Sequence, residues 1–196
     1  MCSSDLAGHR PNLEKEEKSD RCEVVVGDIA DAGLVKGLLE KHRPASIVNF
    51  AAESHVDRSI DEPAPFLHTN VTGTFVLLEA TRNYLRSGLA PEKGLFRFVH
   101  LSTDEVHGSL ELSDPPFRET STFAPNSPYA ASKAAADHLC RAYFRTFGVP
   151  TVVLRPSNNY GPNQFPEKLI PLAILRAVAG EKIPVYGDGK QIRDWM

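Results

Sequence analysis

Phe96-Arg97-Phe98-Val99-His100-Leu101-Ser102-Thr103-Asp104-Glu105 is a short apolar run that stops abruptly on two hydroxyls and two carboxylates. Its length and continuity predict a buried strand over Phe96 to Leu101. Three further runs, Cys22 to Val26, Ser46 to Phe50 and Thr151 to Leu154, read the same way. Helical patterns separate them: Asp31 to His42, Ala64 to Arg86 with an interruption near Thr69, and Tyr129 to Phe147. Asp31 suits a helix N-cap, Pro63 and Pro65 suit an opening turn, and Gly148-Val149-Pro150 ends the last helix. Strand and helix alternating at this spacing predict an α/β fold, a doubly wound parallel sheet. Beyond Leu154 the pattern loosens before a helix over Glu167 to Ala179 and a short strand over Ile183 to Tyr186.

In an open parallel sheet, ligands bind outside the carboxyl ends of the strands. Gly27-Asp28-Ile29 follows the first run, Ala51-Ala52-Glu53-Ser54-His55 the second, Ser102-Thr103-Asp104-Glu105 the third, and Ser157-Asn158-Asn159-Tyr160-Gly161 the fourth. Four polar constellations at four equivalent positions predict one site. Asp28 either begins a turn or accepts an adenine amino group. Ala51 and Ala52 either pack as small residues or let backbone approach a flat ligand, with Ser54 donating to it. His55, Asp57 and Arg58 fit a local salt-bridged loop or a ligand contact equally.

Tyr129-Ala130-Ala131-Ser132-Lys133 follows Pro128, a good first helical residue, so Tyr129 and Lys133 fall on one helical face. A phenol titrates near 10 and serves as a base near neutrality only where positive charge favours the phenolate. The same spacing in Tyr186 and Lys190 is interrupted by Gly187 and Gly189, which disfavour a helix there. Asp104 and Glu105 suit a reaction needing one acid and one base, because adjacent carboxylates in different surroundings ionise differently.

The composition bounds the class. With 196 residues, 41% apolar and 24% charged, the chain is long enough for one sizeable core. A net charge of -3 with scattered Lys and Arg gives no reason to expect nucleic acid or an anionic membrane, so the expected partner is a small molecule. No segment approaches the roughly 18 apolar residues of a membrane span, and no secretory signal is evident. Cys2, Cys22 and Cys140 are odd in number and lack metal-ligand spacing, which fits a reducing, cytoplasmic setting and no metal.

The segments Ala51 to Ile60, Ser102 to Gly108, Ser127 to His138, Ser157 to Pro162, Phe165 to Pro171 and Gln191 to Trp195 resemble the dTDP-glucose 4,6-dehydratases, a branch of the extended short-chain dehydrogenase/reductase family. The Thr-Asp-Glu string and Pro166-Glu167-Lys168-Leu169-Ile170-Pro171 carry the likeness to that branch. The resemblance implies a Rossmann-like domain over residues 1–165 and the start of a sugar-nucleotide-binding region over 166–196. It also implies NAD as cofactor, dTDP-glucose as substrate and a homodimer, although amphipathic packing explains the apolar faces of the two long helices equally well. By the same resemblance Tyr129, Thr103, Lys133, Asp104 and Glu105 are catalytic. Asp28, Ile29, Ala51, Ala52, Thr69 and Asn159, with Tyr129 and Lys133, contact NAD. Ser54, Asn158, Lys168, Leu169, Pro184, Tyr186 and Arg193, with Thr103, contact the sugar nucleotide. Rival readings are a nucleotide-sugar epimerase or decarboxylase and a non-catalytic nucleotide-sugar binding module.

Departures from the family pattern are His107 where tyrosine is usual, Arg155-Pro156, and a shorter segment from Gly108 to Pro125. None of the 13 glycines forms the Gly-rich phosphate-binding turn. The expectation is therefore an internal fragment, inactive alone, in which Met1 to Leu6 resemble nothing in the family and read either as a divergent terminus or as a translated adapter.

Overall fold

The structure, a computed structural model, describes residues 10–91, 94–185 and 187–196. It is an α/β protein whose contacts divide into two compact units: residues 25–155, and residues 10–24 together with 156–196.

The first unit is built on three parallel strands in sequence order: β1 (Ser46–Asn49), β2 (Arg97–Leu101) and β3 (Thr151–Leu154). Ile47 lies opposite Phe98, Asn49 opposite His100, and His100 opposite Val153. That register puts Ile47, Phe98 and Val153 on one face, where they pack with Val35 and Leu39, Leu77 and Leu78, and Cys140 and Tyr143. These pairs come from α1 (Ala32–His42), α4 (Thr74–Arg86) and α5 (Pro128–Phe147) respectively. Val48, Val152 and Leu154 alternate onto the other face and are exposed. The strands thus follow the period of two that a half-covered sheet imposes, where their continuous apolar runs predicted burial on both faces.

The helix ends follow the capping chemistry. Asp31 accepts from Gly33 N and Leu34 N at the start of α1, and Ser127 accepts from Ala130 N at the start of α5. Gly148 closes α5 at φ 72°, a left-handed conformation that disfavours any residue with a Cβ. The long helix expected over Ala64 to Arg86 remains helical throughout, but changes pitch. After α2 (Val56–Asp61) come α3 (Ala64–Phe66), a π-helical stretch over Leu67–Gly73, and α4. The interruption expected near Thr69 is this widened turn.

Two expected strands are absent. Cys22 to Val26 is irregular, because a strand exists only against a neighbour's hydrogen bonds and no described strand lies beside this segment. Ile183 to Val185 is likewise irregular, and Tyr186 lies outside the described residues, as do Met1 to Leu6. The second unit contains a 3-10 turn over Arg10–Leu13, α6 (Leu169–Val178) and an isolated parallel bridge between Asn158 and Trp195. No helix among the described residues is long and apolar enough to cross a membrane.

Candidate active site

Beyond the carboxyl end of β2 the chain enters a 3-10 turn, Asp104–His107, capped by Thr103 Oγ1, which accepts from Glu105 N at 3.3 Å. Thr103 also donates to Asp104 Oδ1 at 3.3 Å. The turn separates the adjacent carboxylates: Asp104 is half-buried and Glu105 exposed. Both act on one phenol. Burial, then the charge of Glu105, then that of Asp104 push Tyr129 up to about 12, against a hydrogen bond with Thr103 that pulls it down. Thr103, Asp104 and Glu105, three of the expected catalytic residues, therefore act on the hydroxyl of a fourth.

Lys133 lies one turn further along α5, buried, with its Nζ donating to the Leu101 carbonyl at 2.5 Å. Its ammonium faces the end of β2. Burial and then the charge of Glu105 dominate the phenol's shift, so Tyr129 rests protonated in this chain, as expected of a phenol without added positive charge to favour the phenolate.

A belt of buried polar groups, which the motif reading missed, holds this helix start. Asn70, in the widened turn, accepts from Glu53 N at 2.9 Å and donates to the Glu53 carbonyl at 3.0 Å and to Ser132 Oγ at 2.8 Å. Ser132 passes its own proton to the Tyr129 carbonyl at 2.7 Å, and Tyr129 N donates to Ser59 Oγ at 3.1 Å. Asn49 Oδ1 accepts from Ala51 N at 3.2 Å. Residues 51 and 53 are thus pinned inward, leaving Ala52 and Ser54 half-buried between them. Thr69 is buried in the same widened turn. An asparagine inside a helical pattern, a poor helix former flanked by Thr69 and Gly73, was the available signal. Asn70→Leu should cost this unit about 3 kcal/mol or more, because it strands the buried N–H and C=O of Glu53. Urea unfolding measures it, and a loss under about 1 kcal/mol would contradict the clamp.

His100 lies behind the site, fully buried on β2. Asn49 Nδ2 stands 3.2 Å from its Nδ1, so Nδ1 accepts and Nε2 carries the proton, facing Asp137 Oδ1 at 3.8 Å. Asp137 is paired in turn with Arg155 Nε at 2.8 Å. Burial, then the Lys133 charge, lowers His100 to about 3. The unfolded chain takes up this proton near pH 6.5 and the folded one does not, so this stability is present above pH 6.5 and lost as pH falls. Stability should fall by about 1.4 kcal/mol per pH unit below about pH 6. Urea midpoints between pH 6.5 and 5 should show that slope reduced in His100→Gln; equal slopes would refute the assignment.

At the first run's end, Asp28 Oδ1 accepts from Ala30 N at 2.8 Å, and Oδ2 lies 2.8 Å from His68 Nε2. The Ala30 N–H, then His68, hold the carboxyl below its usual range. Asp28 thus begins a turn while its side chain stays part-exposed. Ile29 seats against Gly73, where an added Cβ would stand 2.5 Å from Ile29 Cδ1. His55 accepts from Arg58 N as the cap of α2. His107 is buried and packs tilted against Phe117 and edge-on to Phe123, with ring centroids 5.1 and 5.2 Å away, and so anchors the segment after Gly108.

The remaining expected residues belong to the second unit and are described by themselves. Asn158 donates to the Asp194 carbonyl at 3.2 Å, and Asn159 to the Ser157 carbonyl at 2.9 Å. Lys168 caps α6, with its Nζ 3.5 Å from Glu167, and Leu169 is the first residue of that helix. Pro184 and Arg193 are exposed, and Arg193 donates to the Ile192 carbonyl. Tyr186 lies outside the described residues.

Comparison with known proteins gives concordant results. The family model described as GDP-mannose 4,6 dehydratase matches residues 2–196. A dTDP-glucose 4,6-dehydratase of Xanthomonas campestris pv. campestris (strain B100) is 58% identical over 172 residues, covering 88% of this chain and 49% of that protein. The dTDP-glucose 4,6-dehydratase 1 of Escherichia coli K12 is 51% identical over 198 residues, covering 97% of this chain and 55% of that protein. A dTDP-glucose 4,6-dehydratase double mutant from Streptomyces venezuelae, solved with NAD bound, superposes with a TM-score of 0.88 at 45% identity, covering 98% of this chain and 56% of that one. The chain spans about half the length of the curated relatives it matches.

Proposed function

Because this chain belongs to the GDP-mannose 4,6 dehydratase family, we propose that it carries the catalytic groups of a dTDP-glucose 4,6-dehydratase, which eliminates water from a nucleotide-linked glucose to give the 4-keto-6-deoxy sugar. The carrying observation is the gathering of Thr103, Asp104 and Glu105 around the Tyr129 phenol, with Lys133 one turn away. An epimerase needs the phenol and the lysine but no adjacent acid and base; an elimination needs both. Tyr129 takes the C4 hydroxyl proton while Thr103 holds that oxygen. Glu105 removes the proton from C5, acidified by the C4 ketone, and Asp104 protonates the C6 hydroxyl that leaves as water. The net redox change is zero.

The residues present fit NAD. Asp28 offers carboxylate lone pairs at a side chain 43% exposed, and Lys133, one helical turn after Tyr129, offers a buried ammonium at the end of β2. When bound, NAD supplies the two-electron acceptor for C4 and returns the same reducing equivalent to C6. Ile29, Ala51, Ala52, Thr69 and Asn159 complete its contacts in this reading, within a cofactor domain over residues 1–165. Ser54, Asn158, Lys168, Leu169, Pro184, Tyr186 and Arg193 contact the sugar nucleotide, the last 31 of these 196 residues opening its domain. The cations of Lys168 and Arg193 suit a diphosphate. The whole protein works in the cytoplasm as a homodimer paired through α4 and α5, whose exposed Phe75, Phe144 and Phe147 supply an apolar face.

The test joins these residues to the complementary parts of the Xanthomonas campestris relative, giving a chimera of full length. Incubated with NAD and dTDP-glucose, it should yield a 4-keto-6-deoxy sugar nucleotide by NMR. A C4 epimer, or unchanged sugar, would overturn the reading.

A further inference from the structure

His68 takes no part in the acid and base chemistry, yet it makes a short, well-placed contact with a residue at the site. It stands in the π-helical turn Leu67–Gly73. The turn directs Thr69 and Asn70 into the core and leaves His68 exposed, facing Asp28. Asp28 is thereby held both locally and from a segment 40 residues on, by Ala30 N–H on one oxygen and by His68 on the other, each at 2.8 Å. An ionised carboxylate only accepts, so Nε2 of His68 carries the proton it shares. Each oxygen keeps a further lone pair, and the two side chains are 43% and 55% exposed.

We propose that His68 is a positioning residue for the adenine subsite, fixing the Asp28 carboxylate in the orientation that receives the exocyclic amino group of adenine. The proposal rests on the reading that Asp28 contacts NAD, and on the alternative raised for its sequence that it accepts the adenine amino group. Tethered by Ala30 alone, the carboxylate can still turn about its own bonds; the imidazole removes that freedom before the ligand arrives. As an exposed pair, His68 and Asp28 add little to folding stability, so a binding effect without a stability effect separates positioning from scaffolding.

Calorimetry of NAD and of adenosine monophosphate with the full-length chimera provides the test. Asp28→Ala should weaken both ligands about tenfold or more. His68→Ala should weaken both about three- to tenfold with an unchanged thermal midpoint. His68→Gln, which keeps a donor, should recover most of that loss. In the Asp28→Ala background His68→Ala should add nothing. If Asp28→Ala weakens binding while His68→Ala changes it less than about twofold, or the two losses simply add, the proposal is overturned and the adenine reading stands. If Asp28→Ala has no effect on either ligand, the adenine reading itself fails and takes the proposal with it.

Discussion

Tyr129→Phe should lower turnover of dTDP-glucose by about 10²- to 10⁴-fold in the full-length chimera, with substrate affinity changed little, because the variant loses the group proposed to take the C4 hydroxyl proton. The ring keeps its edge-on contact with Phe66, at 6.4 Å between centroids, and its backbone keeps the bond to Ser59, so the helix start stays in place. Only the hydroxyl is removed. In the chain alone that hydroxyl holds its proton up to about 12. In the proposed mechanism the charges of Lys133 and of the bound cofactor offset burial and the two carboxylates before the phenol acts near neutrality. A corollary follows for the pH profile: the basic group controlling turnover should titrate well below 12 when cofactor is bound, and that limb should vanish from the residual activity of Tyr129→Phe. Steady-state rates across pH measure both. Wild-type turnover from the phenylalanine variant would remove Tyr129 from the mechanism.

The three strands and the start of α5 were legible because their determinants are local. Phe96 to Leu101 is a continuous apolar run, and Ser127, Pro128 and Gly148 are end signals readable one residue at a time. Cys22 to Val26 carries the same apolar signal and is no strand, since a ladder is a property of two segments and composition describes only one. α2 went unread because Val56–Asp61 is little more than a turn and a half, and its one apolar pair, Val56 and Ile60, is too short a pattern to predict a helix. The side chains proposed as catalytic could likewise be singled out as a set, since each follows a strand end or lies in the first turns of a helix. What holds them was not. Asn49, Ser59, Asn70 and Ser132 are residue types that favour turns and caps, and beside local bonds to Ala51 N and the Tyr129 carbonyl they join segments 17 to 70 residues apart. His100 was hidden inside a run that reads as hydrophobic, and its neutral state follows from burial and from the Lys133 charge.

Glu105→Gln should leave oxidation at C4 intact while stopping loss of the C5 proton, because the amide keeps the shape of the side chain and cannot accept a proton. The two carboxylates differ in surroundings as the chemistry requires: Glu105 is exposed on the first turn of the 3-10 helix, whereas Asp104 is half-buried and accepts from Thr103 at 3.3 Å. Product formation should fall by about 10²- to 10⁴-fold, the share of general base catalysis. The 4-keto sugar nucleotide that retains its C6 hydroxyl should accumulate. Quenching early turnovers and reading them by mass spectrometry detects that species; running the reaction in deuterated water should show no deuterium at C5 of recovered substrate or intermediate. Asp104→Asn provides the contrast. It should let C5 exchange with solvent while slowing departure of the C6 hydroxyl, so exchange outruns elimination. Were Glu105→Gln to exchange at C5 and Asp104→Asn to lose that exchange, the acid and the base would have to trade places; were both to turn over as wild type, the phenol's two acidic neighbours would be electrostatic bystanders and the elimination would need another pair of groups.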